Sequence, residues 1–278
     1  MKKIYNRIIA LRYISMRQYL LLLILKLYKM AKNKSLFKVE GTLDNVTFYK
    51  SADGHFVRTK GGVSKSRILN DPAFVRTREN GAEFGRSAGA GKMLRMASGT
   101  MVFKAKDAKL SSRLVQVMSK IKNLDTVSVR GERNAAEGLL TAEGQQVLRG
   151  FDFNNRAPLL SVLFAPFSVD NSTGAFVIAD FTPKEQLNYP PGATHFSMRS
   201  SFVVLDFASG VRDVTYSTPV NLPITMATAT VTLTPSGIPQ GNGTQIHFLL
   251  IEFFQEVNGA QYSLKDGAYN VLNILDVV

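Results

Sequence analysis

The chain has 278 residues, 45% hydrophobic and 20% charged, the composition of a globular protein with one large domain or two modest ones, and not of a disordered chain. Cysteine is absent, which excludes disulfides, thiolate metal sites and a cysteine nucleophile. The net charge of +13 is unevenly spread: residues 1–150 hold 29 Lys and Arg against 11 Asp and Glu, and residues 151–278 hold 5 against 10. A basic half beside a weakly acidic one suits a polyanionic partner, or docking of one half on a neighbour's other half; it suits a merely solubilising surface equally well.

Residues 1–29 are basic, with one short apolar run from Tyr19 to Leu25 that Lys26 interrupts. A membrane span needs roughly 20 apolar residues, so this run does not cross a bilayer. Ile24, Leu25 and Leu27 offer no small-residue cleavage site for a secretory signal. A basic amphipathic helix on a membrane surface is one reading. The preferred one is a leader or over-extended start, with the mature protein beginning near Met30 after synthesis in the cytoplasm.

From residue 30 to 150 the sequence predicts a basic module, a β-meander followed by helices. Phe37 and Val39, then Val46 and Phe48, alternate with polar residues as in half-buried strands. Gly41 to Asn45 and Ser51 to Gly54 carry turn chemistry, His55 to Thr59 is a third strand, and Lys60-Gly61-Gly62 ends the meander. Three short strands are not stable alone; a helix or another subunit must cover their apolar face.

Asp71-Pro72 opens a helix, Asp as cap and Pro at its first position. The helix contains "GRSAGAGKM", Gly85 to Met93, which has the look of a phosphate loop. A Walker A loop places four residues between its glycines and a hydroxyl after its lysine. Here five separate Gly85 from Gly91, Met93 follows Lys92, and no apolar strand precedes. A nucleotide-hydrolase reading fails on all three counts, although "FVIAD" (Phe176 to Asp180) has the look of a Walker B strand. Gly81, Gly85 and Gly89 instead recur every four residues and so share one helix face. Each costs about 0.5–1 kcal/mol relative to Ala, which points to close packing against another backbone, in this chain or in a partner. Arg76, Arg78, Arg86, Lys92 and Arg95 are the candidate phosphate-contacting residues of this stretch. A second helix places Leu110, Leu114, Met118 and Ile121 on one face. A short third one spans Thr141 to Arg149, and Gly150 stops it.

Residues 151–278 read as strand and turn throughout. Expected strands are Leu159 to Phe164, Ala175 to Asp180, His195 to Phe207, Val211 to Tyr216, Thr225 to Leu233, Gln245 to Gln255, Gln261 to Leu264 and Tyr269 to Val277. Asn258-Gly259 is a hairpin turn, and Lys265-Asp266-Gly267 a second turn. The whole is therefore of α+β class, its C-terminal half an antiparallel β-sandwich. An immunoglobulin- or fibronectin-like sandwich is the first choice and a jelly roll the second; no Cys–Trp–Cys pattern of an antibody domain exists.

Chemistry is sparse. His55, His195 and His247 are the only histidines, and none pairs with another at metal-ligand spacing. Glu252 and Glu256 share a strand face, with nothing else gathered around them. No nucleophile-elbow, zinc-finger or RNA-recognition pattern occurs, and a sugar site lacks Trp to stack on. No catalytic residue, metal or cofactor is assigned, and the chain is expected not to be an enzyme.

"GTLDNVTFYKSADGHFVRTKGG", "DPAFVRTRENGAEFGR" and "EFFQEVNGAQYSLKDGAYNVLNI" together resemble an uncharacterised protein family of Bacteroidota, over Met30 to the C-terminus. The resemblance brings no activity and no site residues, and it agrees with a start at Met30.

Two functions remain open. The first is a structural protein that self-associates into homo-oligomers, as a component of a virion or surface filament. The second is a nucleic-acid-binding protein that tracks phosphates with its basic half, irrespective of base sequence. Removal of residues 1–29 is expected to leave the fold intact. Circular dichroism and melting of the chain starting at Met30 check this; a marked loss of stability would show that the segment packs against the rest.

Overall fold

The computed structural model describes residues 31–34, 38–59, 61–264 and 268–278. The leader, the Met30 start, Phe37, Lys60 and the Lys265-Asp266-Gly267 turn lie outside the described residues. The chain mixes helix and antiparallel sheet, including a curled half-barrel. Its compact units divide between Ile68 and Leu69.

The first unit is the predicted meander. Strands β1 (Ala31–Lys32), β2 (Gly41–Leu43), β3 (Val46–Ser51) and β4 (Gly54–Thr59) form one sheet in the order β1-β4-β3-β2. Gly41–Leu43, expected as turn, is strand; the turn tightens to Asp44-Asn45, where Asp44 takes φ 50°. Val46, Phe48 and Val57 lie on one face, because Phe48 pairs with Val57 across the ladder. Tyr49 stacks on Phe56 on the other, at 5.8 Å between ring centres, with Arg58 over Tyr49 at 5.3 Å. None of the described residues of this unit up to Ile68 is buried.

The second unit starts within the short helix α1 (Lys65–Asn70). The Asp71 carboxylate accepts the Ala73 N–H at 2.9 Å, capping a 3₁₀ turn (Pro72–Phe74) that runs into the long helix α2 (Val75–Ala97). Helices α3 (Met101–Lys104), α4 (Leu110–Lys122), α5 (Ala135–Leu139) and α6 (Ala142–Leu148) follow. All four predicted apolar residues of α4 are buried. Thr141 caps α6 as its hydroxyl accepts the Gly144 N–H at 3.0 Å, and Gly150 ends the run with φ 76°.

Beyond Gly150 two sheets form. In the larger, β7 (His195–Leu205) pairs with β11 (Thr244–Val257). On its outer edge β7 carries β8 (Arg212–Tyr216) and β9 (Val220–Pro223); β11 carries β13 (Val271–Val277) and β12 (Ala260–Ser263). Asn258-Gly259 makes the β11–β12 hairpin, with φ 51° and 78°. The smaller sheet joins β5 (Ser168–Val169), β6 (Phe176–Phe181) and β10 (Ala229–Leu233).

The larger sheet is buried on both faces. Val203, Leu205, Ile246, Phe248, Leu250, Leu272 and Ile274 share a core with Leu94, Leu114, Met118, Ile121, Leu139 and Leu148 of the helices. Phe196, Met198, Leu249, Ile251 and Phe253 share a second core with Phe176, Ile178, Phe181, Val231 and Leu233 of the smaller sheet. The result is three layers, helix on sheet on sheet.

This arrangement corrects two expectations. The helices and the strands do not divide into separate compact units at residue 150, since the apolar side of α4 has its core on the sheet. Residues 150–153 also bond directly to β13, with Gly150 N–H donating to the Ile274 carbonyl and Phe153 N–H to that of Leu272, each at 2.8 Å. Residues 151–278 are not strand and turn alone either. Leu159–Val162, expected to begin a strand, is the helical turn α7, and Pro183–Gln186 is a second, α8. Prolines at 158 and 183 open these turns, a proline role the strand pattern masked.

Gly138 and Gly144 are among the glycines at a real close approach. A Cβ on Gly138 would stand 2.1 Å from the Ile121 carbonyl oxygen, and one on Gly144 2.0 Å from that of Gly138. A Cβ on Gly85 meets nothing within 4 Å. Gly138→Ala is therefore expected to destabilise by about 1–3 kcal/mol or more through overpacking. Gly85→Ala should stabilise the folded chain by about 0.5–1 kcal/mol. Urea unfolding of both variants checks the contrast.

Candidate basic pocket and helix face

Helix α2 organises the candidate residues. Its inner face buries Glu83, Ser87, Ala90, Gly91, Leu94 and Ala97. Gly91 is its point of close approach: a Cβ there would lie 3.3 Å from Leu114 Cβ on α4. The predicted packing face points the other way. A Cβ on Gly81, Gly85 or Gly89 would meet nothing within 4 Å, and Phe84 beside them is 61% exposed. The whole of "GRSAGAGKM" is inside this helix, so it forms no loop of convergent backbone N–H groups.

Glu83 is the anion around which the N-terminal part of α2 is set. It is 2% exposed. Its carboxylate accepts from Arg133 Nε at 2.9 Å and Nη2 at 3.0 Å, from the Gly131 N–H at 2.9 Å, and from Lys122 Nζ. The Arg133 fork, then Lys122 and Gly131, outweigh burial and hold its pKa at about 2. Nearby Asp125 gathers the N–H groups of Val127, Ser128 and Asn134 at 2.8–3.0 Å and so fixes the loop that presents Arg133.

The five predicted cations divide. Arg76 pairs with Glu79 at 2.8 Å, and Glu79 also takes Arg130 at 3.2 Å. Arg78 donates to the Asp71 carbonyl at 3.0 Å and Arg86 to that of Gly131. These three serve the chain itself. Lys92 and Arg95 instead line a cavity of about 570 Å³, together with Lys106 from the α3–α4 turn and Arg212 from β8. Arg95 donates to the Ser111 hydroxyl. The floor is apolar, with buried Val102 and Leu110, and the exposed Met96 and Phe103 stand at its side. The cavity's single carboxylate, Asp107, is taken up by Arg113 and by the N–H groups of Lys109 and Asn155 at 2.6 and 2.9 Å.

Sequence reasoning missed Lys106 and Arg212. The local run "FKAKDAK" carried a signal for Lys106; Arg212 has none, because only the β7–β8 ladder brings it here.

The histidines do not form a site. His247 is 2% exposed, its ring 4.2 Å from that of Phe202, and neither ring nitrogen has a hydrogen-bond partner. Burial pushes its pKa down and keeps it neutral, against the pull of Asp276 and Asp170. His195 reaches Glu256 at 3.5 Å, whereas Glu252 pairs with Lys104 at 2.9 Å, so the two predicted strand carboxylates are separately engaged. Among the described residues no three His, Asp or Glu side chains gather in a metal-binding cluster, and no helix is long and apolar enough to cross a membrane.

No family model, curated protein or solved structure matches the chain.

The Glu83 cluster makes a pH prediction. Its folded pKa is depressed, so its contribution is fully present above the ordinary carboxylate value of 4.5 and is lost as pH falls toward about 2. Glu83→Ala leaves Lys122 and Arg133 facing a void, and should cost about 3–5 kcal/mol at neutral pH. The gap between wild type and variant should close as pH falls across that window, which unfolding titrations at a series of pH values measure.

Proposed function

We propose that the protein is a non-enzymatic structural protein that assembles with further copies of itself, as a component of a virion or surface filament. One observation carries this reading: the meander forms a regular four-stranded sheet, yet none of its described side chains is buried. A sheet with an apolar side of Val46, Phe48 and Val57 and no core of its own needs cover to be stable. A second copy supplies it. The outer face of α2 adds a second surface. Three glycines there carry the helix-propensity cost without a close neighbour in this chain, and the exposed Phe84 gives such an interface its apolar area.

The immunoglobulin-like reading of the C-terminal half belongs with this proposal. Its support is the pair of antiparallel sheets that share one apolar core, the layering of a β-sandwich, whose loops cluster at its two ends. A phosphate-tracking stripe along α2 has less support, since Arg76, Arg78 and Arg86 are bonded within the chain.

Size-exclusion chromatography with light scattering tests assembly against the monomer mass of 30.6 kDa. A closed oligomer or filament is expected. Phe48→Asp and Gly85→Leu should each shift the population toward monomer, with the Gly85→Leu monomer still folded by circular dichroism. A wild type that stays monomeric at every concentration, or variants that assemble as well as wild type, would overturn the proposal.

A further inference from the structure

We infer that the cavity between α2, α4 and β8 is a binding site for a nucleotide unit: a phosphate held by Lys92, Arg95, Lys106 and Arg212, with a base laid on Phe103.

The cations come from three separate elements and line one cavity. Lys92, Lys106 and Arg212 have no carboxylate partner among the described residues. Several cations elsewhere in the helical layer are answered by nearby anions, Arg76 by Glu79, Arg113 by Asp107, Lys122 and Arg133 by Glu83. Here like charges are placed together around a concave, partly apolar surface, which concentrates a positive field where an anion can enter. Arg95 is already steered by Ser111 at the start of α4, whose first backbone N–H groups add to that field.

The ligand's second half follows from Phe103. Its side chain is 72% exposed beside the cavity, and Lys106 Nζ stands 4.9 Å from the ring centre. The cation covers part of the ring and the exposure leaves room for a planar group. A phosphate cluster next to an exposed aromatic ring is the pairing that single-stranded nucleic acid uses, with the backbone on cations and the base stacked. A volume of about 570 Å³ is in the range of small-ligand sites. Contacts to phosphate and to a ring face carry no base sequence, so recognition is of phosphate and ring. The site is independent of the assembly surfaces proposed above.

Fluorescence anisotropy of a short labelled oligothymidylate with the full chain tests the inference at low salt. Competition by thymidine monophosphate and by inorganic pyrophosphate separates the sources. Displacement by the monophosphate at similar concentration marks a free nucleotide as ligand; retention of the strand alone marks single-stranded nucleic acid; either supports the site. Lys92→Ala with Arg212→Ala removes two exposed, unpaired cations and should fold normally, as circular dichroism verifies. Binding should weaken roughly tenfold, and the salt slope of the strand should fall by up to about 0.7, the contribution of the one phosphate held there. Phe103→Ala should weaken the strand and the nucleotide by roughly tenfold and leave pyrophosphate unaffected. Lys120→Ala, on α4 but outside the cavity, should change nothing. No binding at low salt, or equal weakening by Lys120→Ala, overturns the site. Indifference to Phe103→Ala overturns the nucleotide assignment.

Discussion

The β7–β11 ladder is the constraint on which the second unit rests. It runs through consecutive pairs from Thr244 opposite Leu205 to Phe254 opposite His195. Alternate residues of the two strands feed two different cores, Phe248 and Leu250 under the helices, Leu249 and Ile251 under the smaller sheet. A shift of one residue in this register would exchange the two sets of side chains and put each against the wrong layer. The helices, the smaller sheet and the placement of Arg212 all inherit their positions from that single pairing.

Charge in the helical layer is used in two ways. Around Glu83, two cations and a backbone N–H satisfy one buried carboxylate, and the result is geometric: α2, α4 and the 125–134 loop are tied at one point. At the cavity the same residue types stand without anions. The formal excess of positive charge in residues 1–150 is therefore not one uniform property of that stretch. Part of it is absorbed in structure, and a local remainder is concentrated next to an exposed aromatic ring and joined by a residue from the acidic half.

What the sequence made legible was periodic. Helix α4 and its four core residues, the Asp71-Pro72 start, the Gly150 stop and the Asn258-Gly259 hairpin each rest on chemistry within a few residues, and each is present in the structure. The strands of the larger sheet were legible for the same reason, except β9 (Val220–Pro223), which falls between two expected strands. What escaped depends on distant parts of the chain. The glycine row of α2 was read as a face packed in this chain or on a partner; no close approach within this chain falls on it, whereas Gly138 and Gly144 meet backbone because of where α4 and α5 lie. The basic group was read as one surface, yet internal carbonyls and Glu79 claim three of its members. Short helices opening at proline were lost in stretches of strand-like composition.

The larger sheet ends not in two long outer strands but in four short ones, β8 and β9 on one side, β13 and β12 on the other. Residues 150–153 lie along part of β13, and Ser236 bonds to the backbone of Tyr216 at the end of β8. An incoming chain thus finds no extended run of unpaired backbone groups on which to add a strand, the usual route to uncontrolled fibre growth. At this sheet that leaves side-chain surfaces for contact and the central ladder closed to strand exchange.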